Sequence, residues 1–179
     1  MKLCRAPQSC SLLLLLACSR PDAQLDASLY QDDGAGFGLI RPGIEVLLED
    51  SIHLVAGRRV GLITNQTGVD SSGRSSIDRI HEHPDVDLVA LFAPEHGIRG
   101  TADPGATIAN DVDVETGVPI YSLYGAVLSP TPEMLDGIDV LLVDYQDIGA
   151  RYWTYVSTMT LAMESAAEQG IPVVVLDRP

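Results

Sequence analysis

Val86-Asp87-Leu88-Val89-Ala90-Leu91-Phe92-Ala93-Pro94-Glu95-His96-Gly97-Ile98-Arg99-Gly100 is the stretch from which the fold can be read. A run of β-branched and apolar residues bounded by Pro84 and Pro94 has strand length rather than helix length, so Val86 to Ala93 is predicted to be a buried strand. The proline stops it, and an acid, an imidazole and a guanidinium follow within a few residues. In open α/β sheets, ligands bind just beyond the carboxyl ends of the strands. Glu95, His96 and Arg99 therefore stand where an active site of such a fold would be. Gly97 and Gly100 can take backbone angles closed to bulkier residues, which lets the loop fold back over the strand end.

Working outward, the same alternation recurs on both sides. Ile44, Leu47, Leu48 and Ile52 fall at helical spacing, and Arg58 to Thr64 reads as a strand that ends in Asn65-Gln66-Thr67-Gly68. Ser71 to His83 is predicted as a short helix with Ile77 and Ile80 inward, stopped by Pro84. Glu95 to Thr116 is a long irregular passage, and a loop of that length in a compact domain is usually functional or disordered. Pro119 to Ser122 reads as a minor strand, and Pro132 opens a brief helix around Glu133. Asp139 to Asp144 is a second deeply buried strand. A helix then runs to Gln169, with Trp153, Val156, Met159, Met163 and Ala166 as its apolar stripe, ended by Gly170 and Pro172. Val173 to Leu176 is the last strand. Strands alternating with helices predict a Rossmann-like α/β domain over residues 43–179, a parallel sheet with helices on both faces. The chain stops at Asp177-Arg178-Pro179, immediately beyond a strand, and this predicts a truncation.

The N-terminal segment has a different character. Lys2 and Arg5 precede the apolar block Leu12 to Leu16, which is too short to span a bilayer and ends in Ala17-Cys18. Residues 1–17 read as a signal peptide, and Leu15-Leu16-Ala17-Cys18 resembles a bacterial lipoprotein box in which Cys18 is acylated; ordinary signal cleavage nearby is the alternative. Residues 18–42 would then be a lipid-anchored N-terminus and a flexible linker rich in aspartate and glycine. With Cys4 and Cys10 removed, no free thiol is left for disulfide or metal chemistry. The formal charge of −14 becomes still more negative once Lys2 and Arg5 are gone. A surface this acidic repels nucleic acid and anionic headgroups, so nucleic-acid binding is not expected and membrane attachment would have to come from acyl chains. The expected location is exported, at the periplasmic or extracellular face of a bacterial membrane.

The predicted strand ends collect amides, acids and arginines: Asn65, Gln66 and Thr67; Glu95, His96 and Arg99; Asp144, Gln146, Asp147 and Arg151; Asp177 and Arg178. Amides and hydroxyls suit a ligand rich in hydroxyl and acetamido groups, and carboxylates suit proton transfer to a glycosidic oxygen. Arginine forks suit a carboxylate on that ligand, although each arginine could equally neutralise a neighbouring aspartate. Of the six tyrosines, Tyr121, Tyr124, Tyr145, Tyr152 and Tyr155 cluster here with Trp153. Aromatic faces of this kind flank sugar rings; for Trp153 core packing is the simpler reading. No GxGxxG opens the first helix and no GxxxxGK[ST] occurs, so no dinucleotide, nucleoside triphosphate or other cofactor is indicated. His81-Glu82-His83 is a poor metal site, because residues two apart on a helix point in different directions.

Five ordered blocks carry a resemblance: Gly61 to Gly68, Phe92 to Gly100, Tyr121 to Gly125, Asp144 to Tyr152, and Leu176 to Pro179. Together they resemble the exo-β-N-acetylmuramidases of the NamZ type, also described as DUF1343 proteins, from about Gly43 to the last residue. The resemblance implies a Rossmann-like N-terminal domain, a smaller C-terminal domain that this chain lacks, and a cleft between them. It implies a hydrolase that releases N-acetylmuramic acid from the non-reducing ends of peptidoglycan fragments, with a muropeptide or disaccharide as substrate. Under it, Glu95 is the expected general acid, which requires its protonated form to persist near neutral pH; the alternative is a structural carboxylate bonded to loop amides. His96 is expected to position Glu95 or bond the sugar, unless it is simply a satisfied loop histidine. Asp144 and Asp147 are the candidates for a second carboxylate. Whether the enzyme retains, inverts or uses the substrate's acetamido group depends on carboxyl separation, which sequence does not give. Asn65, Gln66, Thr67, Arg99, Tyr124, Gln146, Arg151, Tyr152 and Arg178 are the expected substrate contacts. Two other readings remain: a lipid-anchored module that binds muropeptides or another acidic sugar without cleaving them, and a metal-dependent hydrolase using Glu95, His96 and Asp147. Oligomeric state is left open.

Overall fold

Successive side chains along a strand point to opposite faces, so an apolar run needs a hydrophobic layer on each side. The computed structural model, which describes residues 40–100 and 110–178, contains both layers. The strands are β1 (Arg59–Thr64), β2 (Asp87–Ala93), β3 (Asp111–Val112), β4 (Pro119–Ser122), β5 (Val140–Asp144) and β6 (Val173–Val175). They form one sheet in the order β3-β4-β2-β1-β5-β6, parallel throughout except for β3, which runs antiparallel on β4. Leu62, Leu91, Val140 and Leu142 pack on one face with α1 (Gly43–Asp50) and α2 (Ser76–His81). Ile63, Phe92, Leu141 and Val143 pack on the other with α3 (Pro132–Leu135) and α4 (Tyr155–Glu168). The expected Rossmann-like sheet with helices on both faces is what forms. No helix among the described residues is long and apolar enough to cross a membrane.

The central strand has an irregularity. Val60 is level with Leu88 but Gly61 is level with Ala90, so one residue of β2 has no partner in β1. Leu88 faces the α1/α2 layer, whereas Val89 and Ala90 both face the α3/α4 layer, and Leu91 returns to the first. The extra residue inverts the facing of everything after it. It sends Phe92 into the α3/α4 layer, where it meets Tyr121 at 5.6 Å between ring centroids.

Three expectations need correction. The helix predicted over Ser71 to His83 is only Ser76–His81. Asp70 Oδ1 accepts hydrogen bonds from the backbone N–H groups of Ser72 and Arg74 and from the Ser72 hydroxyl, so a side chain takes the donors a helix would need. The long irregular passage carries β3; its residues 101–109 lie outside the described residues. The stripe expected on α4 is rotated: Tyr155, Thr158, Ala162 and Ala166 are its buried residues. Val156 and Met163 are 49 % and 42 % exposed. Small residues at 158, 162 and 166 let the helix approach the sheet; of the expected stripe Ala166 is buried and Met159 packs against the core, whereas Val156 and Met163 face outward. The signal peptide, Cys18 and most of the linker fall outside the described residues.

Candidate active site

Because all strands but β3 are parallel, the carboxyl ends of β1, β2, β4, β5 and β6 share one edge. The order of strands reverses direction between β1 and β5, and a crevice opens at such a switch point. Here the two strand ends are stitched together. Thr64 Oγ1 donates to the Asp144 carbonyl at 2.7 Å, and the Gln146 N–H donates to Thr67 Oγ1 at 2.8 Å. A Cβ at position 68 would stand 2.2 Å from Thr64 Oγ1 and 2.8 Å from the Asp144 carbonyl oxygen, so only glycine permits the approach. Asn65 is buried, and its Oδ1 accepts from Thr67 N and Thr67 Oγ1 at 2.9 and 2.6 Å. Asn65 and Thr67 thus shape the loop as well as lying at its rim, while the Gln66 and Gln146 residues are exposed.

Beyond β2 the backbone turns through His96 at φ 73° and Gly97 at φ 78°. Positive φ is strained for histidine and uncommon outside tight turns. The turn holds Glu95 half-buried, with its carboxyl aimed across to the start of α4. Glu95 Oε2 accepts from Thr154 Oγ1 at 3.0 Å, and the Tyr155 hydroxyl lies 3.5 Å from the Glu95 carbonyl, a long donor contact. The Tyr124 phenol stands beside the Glu95 carboxyl, and that carboxyl, with burial, raises the phenol's pKa. Burial also raises the Tyr155 phenol; the Asn65 amide opposes this from beside it, although Asn65 Nδ2 is not in hydrogen-bonding geometry with any group. Tyr145 completes the wall: its hydroxyl donates to the Tyr155 carbonyl at 2.9 Å, and the two rings lie 5.1 Å apart. Burial, with the Asp147 charge next, raises the Tyr145 phenol as well. All three phenols stay protonated donors at neutral pH. Tyr155 also meets Trp153 edge-on at 5.5 Å. The structure therefore brings Glu95, Asn65 and Tyr124 to one place.

Other residues expected at the site are engaged elsewhere. Asp144 is 1 % exposed; its carboxylate accepts from the Ser76 hydroxyl and from Arg178 at 3.4 Å. Burial raises its pKa, opposed by Ser76 and Arg178. Arg178 also donates to the Val69 carbonyl. This trio pins β6 to β5 and to α2 beneath the rim. Arg99 forms a fork on Asp113 at 3.0 and 2.9 Å and reaches Asp78 at 3.3 Å and Glu115 at 3.4 Å. Burial would raise the Asp113 pKa, but Arg99 and Thr116 outweigh it and hold the carboxyl below its ordinary range. For Arg99 and Arg178, neutralisation of neighbouring aspartates is the arrangement found. Arg151 differs: it is exposed and has no ion-pair partner among the described residues.

Asp147 is half-buried. Its Oδ1 accepts from Gly149 N at 2.6 Å, and its Oδ2 is buried without a hydrogen-bond partner. It lines a cavity of about 250 Å³ with Tyr145, Gln146, Met159 and Asp177. Tyr152 is 85 % exposed. A larger hollow of about 310 Å³ lies between α1 and β6, but Glu95, Asn65 and Asp147 do not line it, so the chemistry rather than the depth locates the site. No group of three or more His, Cys, Asp or Glu among the described residues is placed to hold a metal ion. Thr154 was not foreseen from sequence. A threonine before a helix reads as a cap, and nothing local says that its hydroxyl reaches a residue far back in the chain.

Residues 60–179 match the family model described as exo-beta-N-acetylmuramidase NamZ, N-terminal. The chain belongs to the NamZ N-terminal domain family. A relative named peptidoglycan beta-N-acetylmuramidase NamZ, from Bacillus subtilis (strain 168), is 52 % identical over 140 residues, which is 78 % of this chain and 34 % of the relative. Two crystal structures of DUF1343 family proteins from Bacteroides fragilis NCTC 9343 superpose on it. One is 55 % identical with a TM-score of 0.71, the other 32 % identical with a TM-score of 0.63. Each covers 78 % of this chain, against 34 % and 35 % of its own. The chain thus spans about a third of the length of the NamZ relatives it matches, and the blocks around Glu95 and Asp144 fall inside the matched region.

Proposed function

We propose that this domain forms part of an exo-acting β-N-acetylmuramidase that releases N-acetylmuramic acid from the non-reducing ends of peptidoglycan fragments during cell-wall turnover. The observation that carries the proposal is the Glu95 carboxyl. It stands half-buried at the end of the central strand, held by the Thr154 hydroxyl with the Tyr124 phenol beside it, and no arginine or lysine pairs with it among the described residues. A carboxyl neutralised by an arginine is a poor proton donor. One held by hydroxyls can carry a proton to a glycosidic oxygen and recover it from water.

Family membership supplies the substrate class, since the Bacillus subtilis relative is named a peptidoglycan beta-N-acetylmuramidase. In this reading Glu95 is the general acid, with Tyr124 beside its carboxyl and Asn65 shaping the neighbouring loop. Arg151 is the cation available to the lactyl carboxylate. Asp147 is the remaining candidate for a second carboxylate, and Asp144 supports the strand ends. The leader sequence and Cys18 support export and anchoring of the protein to a bacterial membrane by acyl chains.

The test is turnover of a chromogenic β-N-acetylmuramide by the full-length protein, with the N-acetylglucosaminide as control. Cleavage of the muramide alone, lost in Glu95→Gln with binding of N-acetylmuramic acid intact, is the expected result. Binding of muropeptides with no cleavage of either substrate would replace the enzyme by a capture module. Full activity in Glu95→Gln would remove the assigned acid.

A further inference from the structure

Two of the helices show what a capping hydroxyl does in this fold. Ser75, before α2, and Thr131, before α3, have extended backbones with ψ 137° and 162°, and each side chain accepts a hydrogen bond from an N–H of its own helix. That is the ordinary use of serine and threonine at a helix start. Thr154 occupies the same position before α4, the longest helix, yet its backbone is helical at ψ −18° and its side chain caps nothing. The hydroxyl instead donates across the domain to Glu95 Oε2, 59 residues earlier in the chain. Glu95, arriving from β2, thus meets the start of α4 through the threonine hydroxyl.

We propose that Thr154 is a positioning residue for Glu95: by giving up its cap and fixing Oε2, it sets the rotation of the carboxyl about the end of its side chain. The role rests on the glycosidase reading above. A glutamate side chain at a rim has several rotamers, and its terminal torsion is broad and weakly held. One hydrogen bond from a rigid helix terminus to Oε2 narrows that freedom. The Tyr155 hydroxyl, 3.5 Å from the carbonyl of Glu95, steadies the backbone from the next residue of the same helix. Side chain and main chain of Glu95 are thus both referenced to the start of α4. Movement of that helix end would move the acid.

The experiment compares Thr154→Val, which keeps the shape and removes the hydroxyl, with Thr154→Ser, which keeps the hydroxyl. Ser75→Ala, which removes a true cap, serves as the reference for stability. In the full-length protein, Thr154→Val is expected to lower kcat on the muramide by about 10- to 100-fold with KM nearly unchanged. The limb of its pH–rate profile governed by the carboxyl should move to higher pH, because a donor to the ionised form has been lost. Thr154→Ser should restore most of the rate, and the Tm of Thr154→Val should fall less than that of Ser75→Ala. Wild-type kcat and an unmoved pH profile in Thr154→Val would overturn the role. A loss of Tm at least as large as that of Ser75→Ala, with the rate restored on cooling, would make the hydroxyl structural and overturn it too. Absence of turnover in the wild type would sink the glycosidase reading itself, which is a different result from an active wild type with an unaltered variant.

Discussion

Two carboxylates stand at the same edge of the sheet, on strands separated by β1, and have different surroundings. Asp144, the last residue of β5, is almost wholly buried and meets a serine hydroxyl and an arginine. Glu95, after β2, is half-buried; it meets the Thr154 hydroxyl, with the Tyr124 phenol beside it, and no arginine or lysine pairs with it among the described residues. A buried acid bonded to a serine hydroxyl and facing a guanidinium is committed to its place, because removing one member leaves buried polar groups without their partner. An acid held by a hydroxyl at a half-exposed rim is open to a ligand there. The same sort of residue at one edge of the sheet thus serves the fold in one case and is available to chemistry in the other, and burial and partner decide which.

That contrast can be broken most directly by exchanging effects on rate and stability. Glu95→Gln is expected to lower kcat by about 10³-fold while changing the urea midpoint little, since a half-exposed amide replaces a half-exposed carboxyl. Asp144→Ala should do the reverse. It leaves Arg178 and Ser76 without their partner and is expected to destabilise the domain by about 3 kcal/mol, read by urea unfolding; an Asp144→Ala protein as stable as wild type would end the distinction. Arg99→Gln sharpens it from the side of the cations. Loss of the fork on the buried Asp113 should cost about 2 kcal/mol of stability with KM for the muramide preserved. Arg151→Gln should leave stability unchanged and raise KM about 5-fold.

The smallest effect is on pH dependence. Hydrogen bonds from Ser72, Arg74 and Arg79 overcome burial to hold the Asp70 carboxyl far below its ordinary value, and Asp113 is also lowered. Folded pKa values below the unfolded ones mean stability that is present above the ordinary carboxyl range and lost as the pH falls through it. Asp144, raised by burial, acts with the opposite sign and loses stability as the pH rises through that range to its own higher value. Acid unfolding followed by circular dichroism should therefore be shallower in Asp113→Asn than in the wild type, and steeper in Asp144→Asn.

The sequence by itself determined the frame. Proline-bounded apolar runs, glycine-terminated helices and polar residues after each run are local features, and local features fix which segments become strands and at which ends the loops lie. Those signals placed Glu95, Asn65 and Asp147 at the correct edge of the sheet. They did not show that β2 carries an extra residue opposite Val60 and Gly61, because a strand apolar on every position has no alternation from which register can be read. Nor did they show which polar groups engage one another. Ser76 meets Asp144 from 68 residues away, Arg178 from 34, and Thr154 meets Glu95 from 59. A hydrogen bond exists or fails within a few tenths of an ångström, and such distances between remote segments are set only when the helices have packed on the sheet.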